Sequence, residues 1–156
     1  MGFEIRFLHE EDYSPEQRSV YSNTEHGLCL AKITIDDFDD VFETSLSFWS
    51  KEDYQAHWRE ALERIVQGSD VSCLITSIDD PNSANFLIWW PLYRMEDKVI
   101  VQNQLFFLEG AQGKFDIKNP FHSVRKYGSI SPDGQEISEW ALTVDQISKF
   151  LERREV

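Results

Sequence analysis

Five carboxylates, Asp36, Asp37, Asp39, Asp40 and Glu43, fall within eight residues of the 156-residue chain. Ionised side chains that close repel one another unless water or cations meet them, so the cluster suggests cation binding, diphosphate binding or recognition of a basic partner. A calcium loop needs alternating oxygen ligands, a mid-loop glycine and a late bidentate Glu, and residues 36–43 contain no glycine. Asp36-Asp37-Phe38-Asp39-Asp40 has the spacing of a diphosphate-binding aspartate motif, but that chemistry uses a second acidic cluster facing the first inside a helical bundle. The rest of this chain reads mainly as strands. What remains is either a solvated turn or an acidic surface matched to Arg and Lys on another protein, with Glu10, Glu11 and Asp12 as further carboxylates nearby in sequence.

A second acidic set, Asp79, Asp80, Glu96 and Asp97, also falls at expected turns. The four histidines, His9, His26, His57 and His122, lack the repeated i+2 to i+4 ligand spacing of a zinc site, so no metal and no cofactor is expected. His57 is expected at the surface or at a packing boundary. Gly-x-Ser-x-Gly, Walker and dinucleotide glycine patterns are absent. Catalysis would have to rest on groups assembled only by folding, with His57 or His122 near carboxylates as the centre. Cys29 and Cys73, each inside an apolar run, read as buried free thiols. Adjacent Trp89 and Trp90 must face opposite sides of a strand. Either both faces of the sheet are covered, or one Trp is exposed and anchors a partner.

The charge is −13, from 28 acidic and 15 basic residues, and residues 1–53 carry most of it, with 13 acids against 4 bases. Direct nucleic-acid binding is excluded as an expectation, because phosphates would be repelled. With 41% hydrophobic and 13% aromatic residues the chain can bury enough apolar surface to fold, as one domain spanning 1–156. It shows neither an apolar stretch long enough to span a membrane nor a leader pattern, which predicts a cytoplasmic protein.

The elements that must position these groups follow from periodicity. Phe3, Ile5 and Phe7 alternate as a first strand; 28–35 and 41–48 read as the next two, with Asp36 to Asp40 as the turn between them. Residues 10–27 read as a loop with a helical turn after Pro15. Ser50 caps a helix whose Tyr54, Trp58, Ala61, Leu62, Ile65 and Val66 share a face and which stops at Gly68. Residues 71–78 form a buried strand, and 86–95 with 98–108 an antiparallel hairpin in which Pro91 marks a bulge or an edge. A long surface loop over 109–131, a turn at 132–135 and a strand at 137–142 follow. Thr143 and Gln146 then box the start of a closing helix from Val144 to about Arg153. The fold class is α+β: a mainly antiparallel sheet of six to seven strands with two main helices.

Within this frame, Tyr54-Gln55-Ala56-His57-Trp58-Arg59-Glu60-Ala61-Leu62, Cys73-Leu74-Ile75-Thr76-Ser77, Ala84-Asn85-Phe86-Leu87-Ile88-Trp89-Trp90-Pro91-Leu92-Tyr93-Arg94, Val101-Gln102-Asn103 and Ile137-Ser138-Glu139-Trp140 resemble the immunity proteins of bacterial contact-dependent growth inhibition systems. The resemblance covers roughly residues 50 to 145. It implies a non-enzymatic protein that binds the C-terminal domain of a cognate toxin, in many cases a basic nuclease and in some a transfer-RNA nuclease, and occludes it in the cytoplasm. The acidic residues Asp36 to Glu43, then Asp79, Asp80, Glu96 and Asp97, are the expected contacts. A small enzyme or a Trp-anchored adaptor remains the alternative.

Overall fold

The computed structural model describes residues 2–21, 27–108, 115–131 and 133–153. In chain order it contains β1 (Phe3–Phe7), α1 (Pro15–Tyr21), β2 (Leu28–Ile35), β3 (Phe38–Ser45), α2 (Lys51–Val66), β4 (Val71–Ser77), β5 (Phe86–Met95), β6 (Lys98–Gln102), β7 (Gln104–Phe107), β8 (Glu139–Thr143) and α3 (Val144–Arg153). The class is α+β with antiparallel pairing, as expected, but the strands divide between two sheets: β1-β2-β3, and β4-β5-β6-β8 with β7 also on β5.

Alternation decides which way the first sheet faces. Phe3, Ile5 and Phe7 pair with Ile35, Ile33 and Ala31, and all six are buried on one face. That face closes on α3 and the second sheet, where Phe3 meets Phe150 edge-on at 5.4 Å and Phe38 stacks on Trp140 at 4.3 Å. The aromatic pair Trp89 and Trp90 is covered on both sides, at 3% and 1% exposure, so the reading with an exposed Trp anchor is set aside.

The second sheet begins with β4 at its edge, where bare N–H and C=O groups would be buried without partners. Helix α2 supplies those partners from one face. The Ile75 amide donates to His57 Nε2 at 2.8 Å and Trp58 Nε1 donates to the Ile75 carbonyl at 2.8 Å, while in the other direction the Ser72 side chain of β4 donates to the Ala61 carbonyl of α2 at 2.8 Å. Tyr54 Oη accepts from the Ile78 amide at 3.0 Å and donates to the Ser45 carbonyl at 2.6 Å, tying the end of β3 to the end of β4. Ser50 caps the helix as expected, and the structure adds the reciprocal half of a box, with Asp53 accepting from the Ser50 amide.

Three elements differ from the sequence reading for local reasons. Ile35 pairs with Phe38, so the turn is only Asp36-Asp37, with Asp36 at φ 53°. The third strand therefore starts at Phe38 rather than Val41, because a two-residue hairpin leaves Asp39 and Asp40 inside the ladder. The residues after Pro15 make two turns of helix, α1, and Ser14 and Gln17 cap each other's backbone at its start. The expected loop over 109–131 is not wholly superficial: Pro120–Ser123 forms a 3₁₀ turn that buries Phe121 against His57, ring to ring at 6.0 Å. Residues 109–114 and Pro132 of the expected turn lie outside the described residues.

Pro91 is neither on an edge strand nor at a bulge. β6 and β7 both continue one register on β5, in which Leu92 meets Val101 and Trp89 meets Gln104. Pro91 falls opposite Gln102, where a donor is needed and proline has none, and the ladder is interrupted there. The 98–108 run thus splits into β6 and β7 around Asn103.

Tyr54→Phe keeps the ring but orphans the Ile78 amide and the Ser45 carbonyl. A loss of about 2–3 kcal/mol in urea unfolding at unchanged m-value is expected.

Candidate partner-binding surface

Folding draws two of the acidic turns together. The β2–β3 turn carries Asp36 and Asp37, the β5–β6 turn carries Glu96 and Asp97, and the first turn of α3 lies between them. Gln146 Nε2 donates to Asp36 Oδ1 at 2.7 Å, while the Val144 amide donates to the Asp97 carbonyl at 2.9 Å. Thr143 and Gln146 form the expected box at the helix start, and Asp145 adds a carboxylate that pairs with Lys149 at 3.0 Å. Asp37, Glu96 and Asp97 are exposed at this end of the molecule, where the positive end of the α3 dipole moderates their repulsion.

The other predicted residues go elsewhere. Asp39 and Glu43 lie on the outer face of the first sheet, with Thr34 Oγ1 donating to Asp39 and Tyr21 Oη to Glu43, each at 2.8 Å. Asp40 points inward, opposite Ile33 and between the aromatic positions Phe38 and Phe42, and the loss of water raises its carboxyl above the ordinary range. Asp79, itself exposed, braces the end of β3: its Oδ1 accepts from Ser45 Oγ at 2.5 Å and Ser47 Oγ at 2.6 Å. Asp80 closes its own turn by accepting from the Asn82 amide at 3.0 Å. Asp79 and Asp80 precede β5, at the end of the sheet opposite Glu96 and Asp97.

A second feature has no counterpart among the predicted residues. β8 pairs with β6 only as far as Gln102 and Glu139; the Asn103 amide still reaches the Ser138 carbonyl at 3.3 Å. Beyond that point the chain folds back on itself, with Ile130 bridging Glu136 and the Ser131 amide donating to the Gln135 carbonyl at 2.8 Å. Where β8 would have continued along β7 there is a cleft of about 770 Å³, lined by β7, by Ser131, Asp133 and 135–138, and by Trp89, Tyr93 and Arg125. The buried Trp89 indole N–H has no hydrogen-bond partner among the described residues.

The family model for the CdiI N-terminal domain matches residues 44–150. An Enterobacter cloacae protein named immunity protein CdiI is 31% identical over 120 residues, covering 77% of this chain and 82% of that protein. The chain belongs to the CdiI family. A solved structure, the CdiA-CT/CdiI toxin and immunity complex from Enterobacter cloacae, contains a chain that superposes with a TM-score of 0.78 at 27% identity, covering 97% of both chains.

The segment matched by the CdiI family model includes the α2 cap on β4 and the cleft beside β7, and it excludes Asp36 to Asp40 and Glu43. The most acidic stretch of sequence is therefore outside the part of this CdiI-family chain that the family model recognises. The periodicity of α2 pointed to its buried face but not to His57, which was expected near the surface. It is buried at 7% exposure, and the Ile75 amide occupies its Nε2. Burial lowers the His57 pKa to about 3, so the ring is neutral and its proton sits on Nδ1. His122 is exposed and meets Asn119 Nδ2 at 3.2 Å, and His26 lies outside the described residues. Among the described residues no group of three His, Cys, Asp or Glu side chains is placed to hold a metal. Cys29 and Cys73 are buried free thiols, and burial pushes the Cys29 thiol up to about 11.

The direction of the His57 shift fixes its pH dependence. A depressed folded-state pKa means the unfolded chain binds the proton better, so the contribution is fully present above pH 6.5 and is lost as pH falls toward about 3. Urea unfolding between pH 6.5 and 5 should show a loss approaching about 1.4 kcal/mol per pH unit, which His57→Gln removes. Asp40 carries the opposite sign: its raised carboxyl opposes folding when ionised. Asp40→Asn should raise the melting temperature at pH 7, with the gain vanishing near pH 3, as read by calorimetry at the two pH values.

Proposed function

We propose that this CdiI-family chain binds the C-terminal toxin domain of its own contact-dependent growth inhibition system and neutralises it in the cytoplasm, by non-covalent binding and without turnover. The observation that carries this reading is the likeness, over 97% of both chains, to a chain of a toxin and immunity complex. Neither rival gains a site from the geometry. His57 is committed to the β4 edge, and Trp89 and Trp90 are covered.

The toxin is inferred to be a basic nuclease, with transfer RNA as a candidate substrate, because a net charge of −13 repels phosphate and attracts a phosphate-binding groove. The exposed end formed by Asp37, Glu96 and Asp97, with Asp36 held by Gln146, is the leading contact; Asp39 and Glu43 on the adjacent outer face come second. Asp40, Asp79 and Asp80 contribute charge to the field while being engaged within the fold. An acidic surface of this kind acts mainly on encounter, raising the association rate in a salt-dependent way, and it occludes the groove once docked.

The direct test is to identify a neighbouring gene for a large secreted protein, co-purify its C-terminal domain with this chain, and look for rescue of growth when both are expressed; failure of that domain to bind would reject the reading. In stopped-flow binding, the triple variant Asp37→Asn, Glu96→Gln, Asp97→Asn should associate about tenfold more slowly at low salt, with a flatter salt dependence and little change in dissociation. Unaltered association and salt dependence would reject the acidic end as the steering surface.

A further inference from the structure

The cleft beside β7 has the form of a missing strand. Antiparallel pairing alternates, and the Leu108 amide donates to the Asn85 carbonyl at 2.9 Å, so Phe106 and Gln104 also turn their backbone groups toward β5. Leu105 and Phe107 must then turn theirs the other way, into the cleft. Among the described residues nothing pairs with them. In the register that joins β6 to β8, Leu105 would meet Glu136 and Phe107 would meet Gly134, but those residues are turned into their own hairpin. The same two residues also carry exposed apolar side chains, Leu105 at 49% and Phe107 at 63%, next to Phe86. A bare edge with exposed hydrophobic side chains is a template for another strand, and proteins ordinarily blunt it with charge, proline or a cover. Gln104-Leu105-Phe106-Phe107 carries neither a charge nor a proline.

The geometry points to β-strand addition: an extended segment of the toxin domain lies along β7 in the position β8 vacates. This assignment rests on the toxin-binding reading above and supplies its anchoring contact. The main-chain groups of Leu105 and Phe107 give the pairing, and side chains on alternate positions face opposite ways. On one side they meet Leu105, Phe107 and Phe86. On the other they enter the cleft, where the buried Trp89 N–H is an available donor and, among the described lining residues, the carboxylates Asp133 and Glu136 outnumber the guanidinium of Arg125. The fitting segment therefore alternates apolar with basic or carbonyl-bearing residues. Charge separates this occupant from a second copy of the chain, since two molecules at −13 each repel while a cationic domain is attracted. The cleft lies about 27 Å from Glu96 along β5, at ~3.4 Å per residue, a span that one domain-sized footprint of about 800 Å² can cover. Charge at one end then governs encounter, and strand pairing at the other governs residence.

The test uses the catalytically inactivated toxin C-terminal domain as probe. In the complex, hydrogen exchange at the Leu105 and Phe107 amides should slow by tenfold or more. Leu105→Pro removes only an outward-facing N–H and should weaken binding about tenfold, chiefly through faster dissociation, with the β5 ladder intact. Phe107→Lys, which charges the edge without touching the backbone, should give a comparable loss and serves if the proline variant fails to fold. Wild-type binding with unchanged exchange at both amides, and full affinity of Phe107→Lys, would overturn strand addition while leaving toxin binding intact. A free chain that sediments as a dimer, with those amides already slowed and the dimer broken by Phe107→Lys, would assign the edge to a second copy. Absence of any binding by the wild-type chain would remove the functional reading itself.

Discussion

The buried edge of β4 is the constraint on which the rest of the structure depends. A strand edge placed inside a protein leaves amides and carbonyls that cost about 1–3 kcal/mol each if unmet, more than a small domain can absorb several times over. Here one face of α2 meets them, through His57 and Trp58 at Ile75 and through Tyr54 at Ile78. Because Tyr54 Oη also holds the Ser45 carbonyl, the same contact fixes the end of the first sheet against the second. The distance from Tyr54 to Trp58 is one helical turn, so their side chains align along the strand.

That arrangement explains why His57 has to be neutral. A protonated imidazole would present an N–H to the Ile75 amide in place of an acceptor, and it would place an unpaired charge in a site packed by Trp49 and Phe121. The burial that removes His57 from any acid–base chemistry is therefore part of the cap. The other sheet margin is built differently. Pro91 interrupts the ladder in the middle of the sheet, β8 leaves at Ser138, and among the described residues nothing pairs with the far side of β7. One margin is closed by helix side chains and the other is left open. The asymmetry fits a molecule whose rigid frame presents one edge outward.

The acidic residues divide by backbone geometry and not by proximity in sequence. Asp39 and Asp40 are neighbours, yet in a strand they face opposite ways, so Asp39 stays exposed while Asp40 loses part of its water. Asp36 and Asp97 are 61 positions apart and are brought to one end because the start of α3 hydrogen-bonds to both turns. The whole-chain charge acts over a distance set by the Debye length, about 8 Å at physiological salt, so the exposed end matters more than the total.

Composition and pattern by themselves determined the class of fold, the alternating strands, the Ser50 cap, the Thr143–Gln146 box and the buried thiols. Each rests on residues within a few positions of one another, where the 2.0 and 3.6 periods and the capping rules apply directly. Tertiary structure alone decided that the strands form two sheets, that His57 is a cap on Ile75, which carboxylates share a surface, and that Leu105 and Phe107 face an empty strand position. These depend on pairing register and on where one strand parts from its neighbour, quantities set by contacts between segments tens of residues apart, which local spacing does not encode.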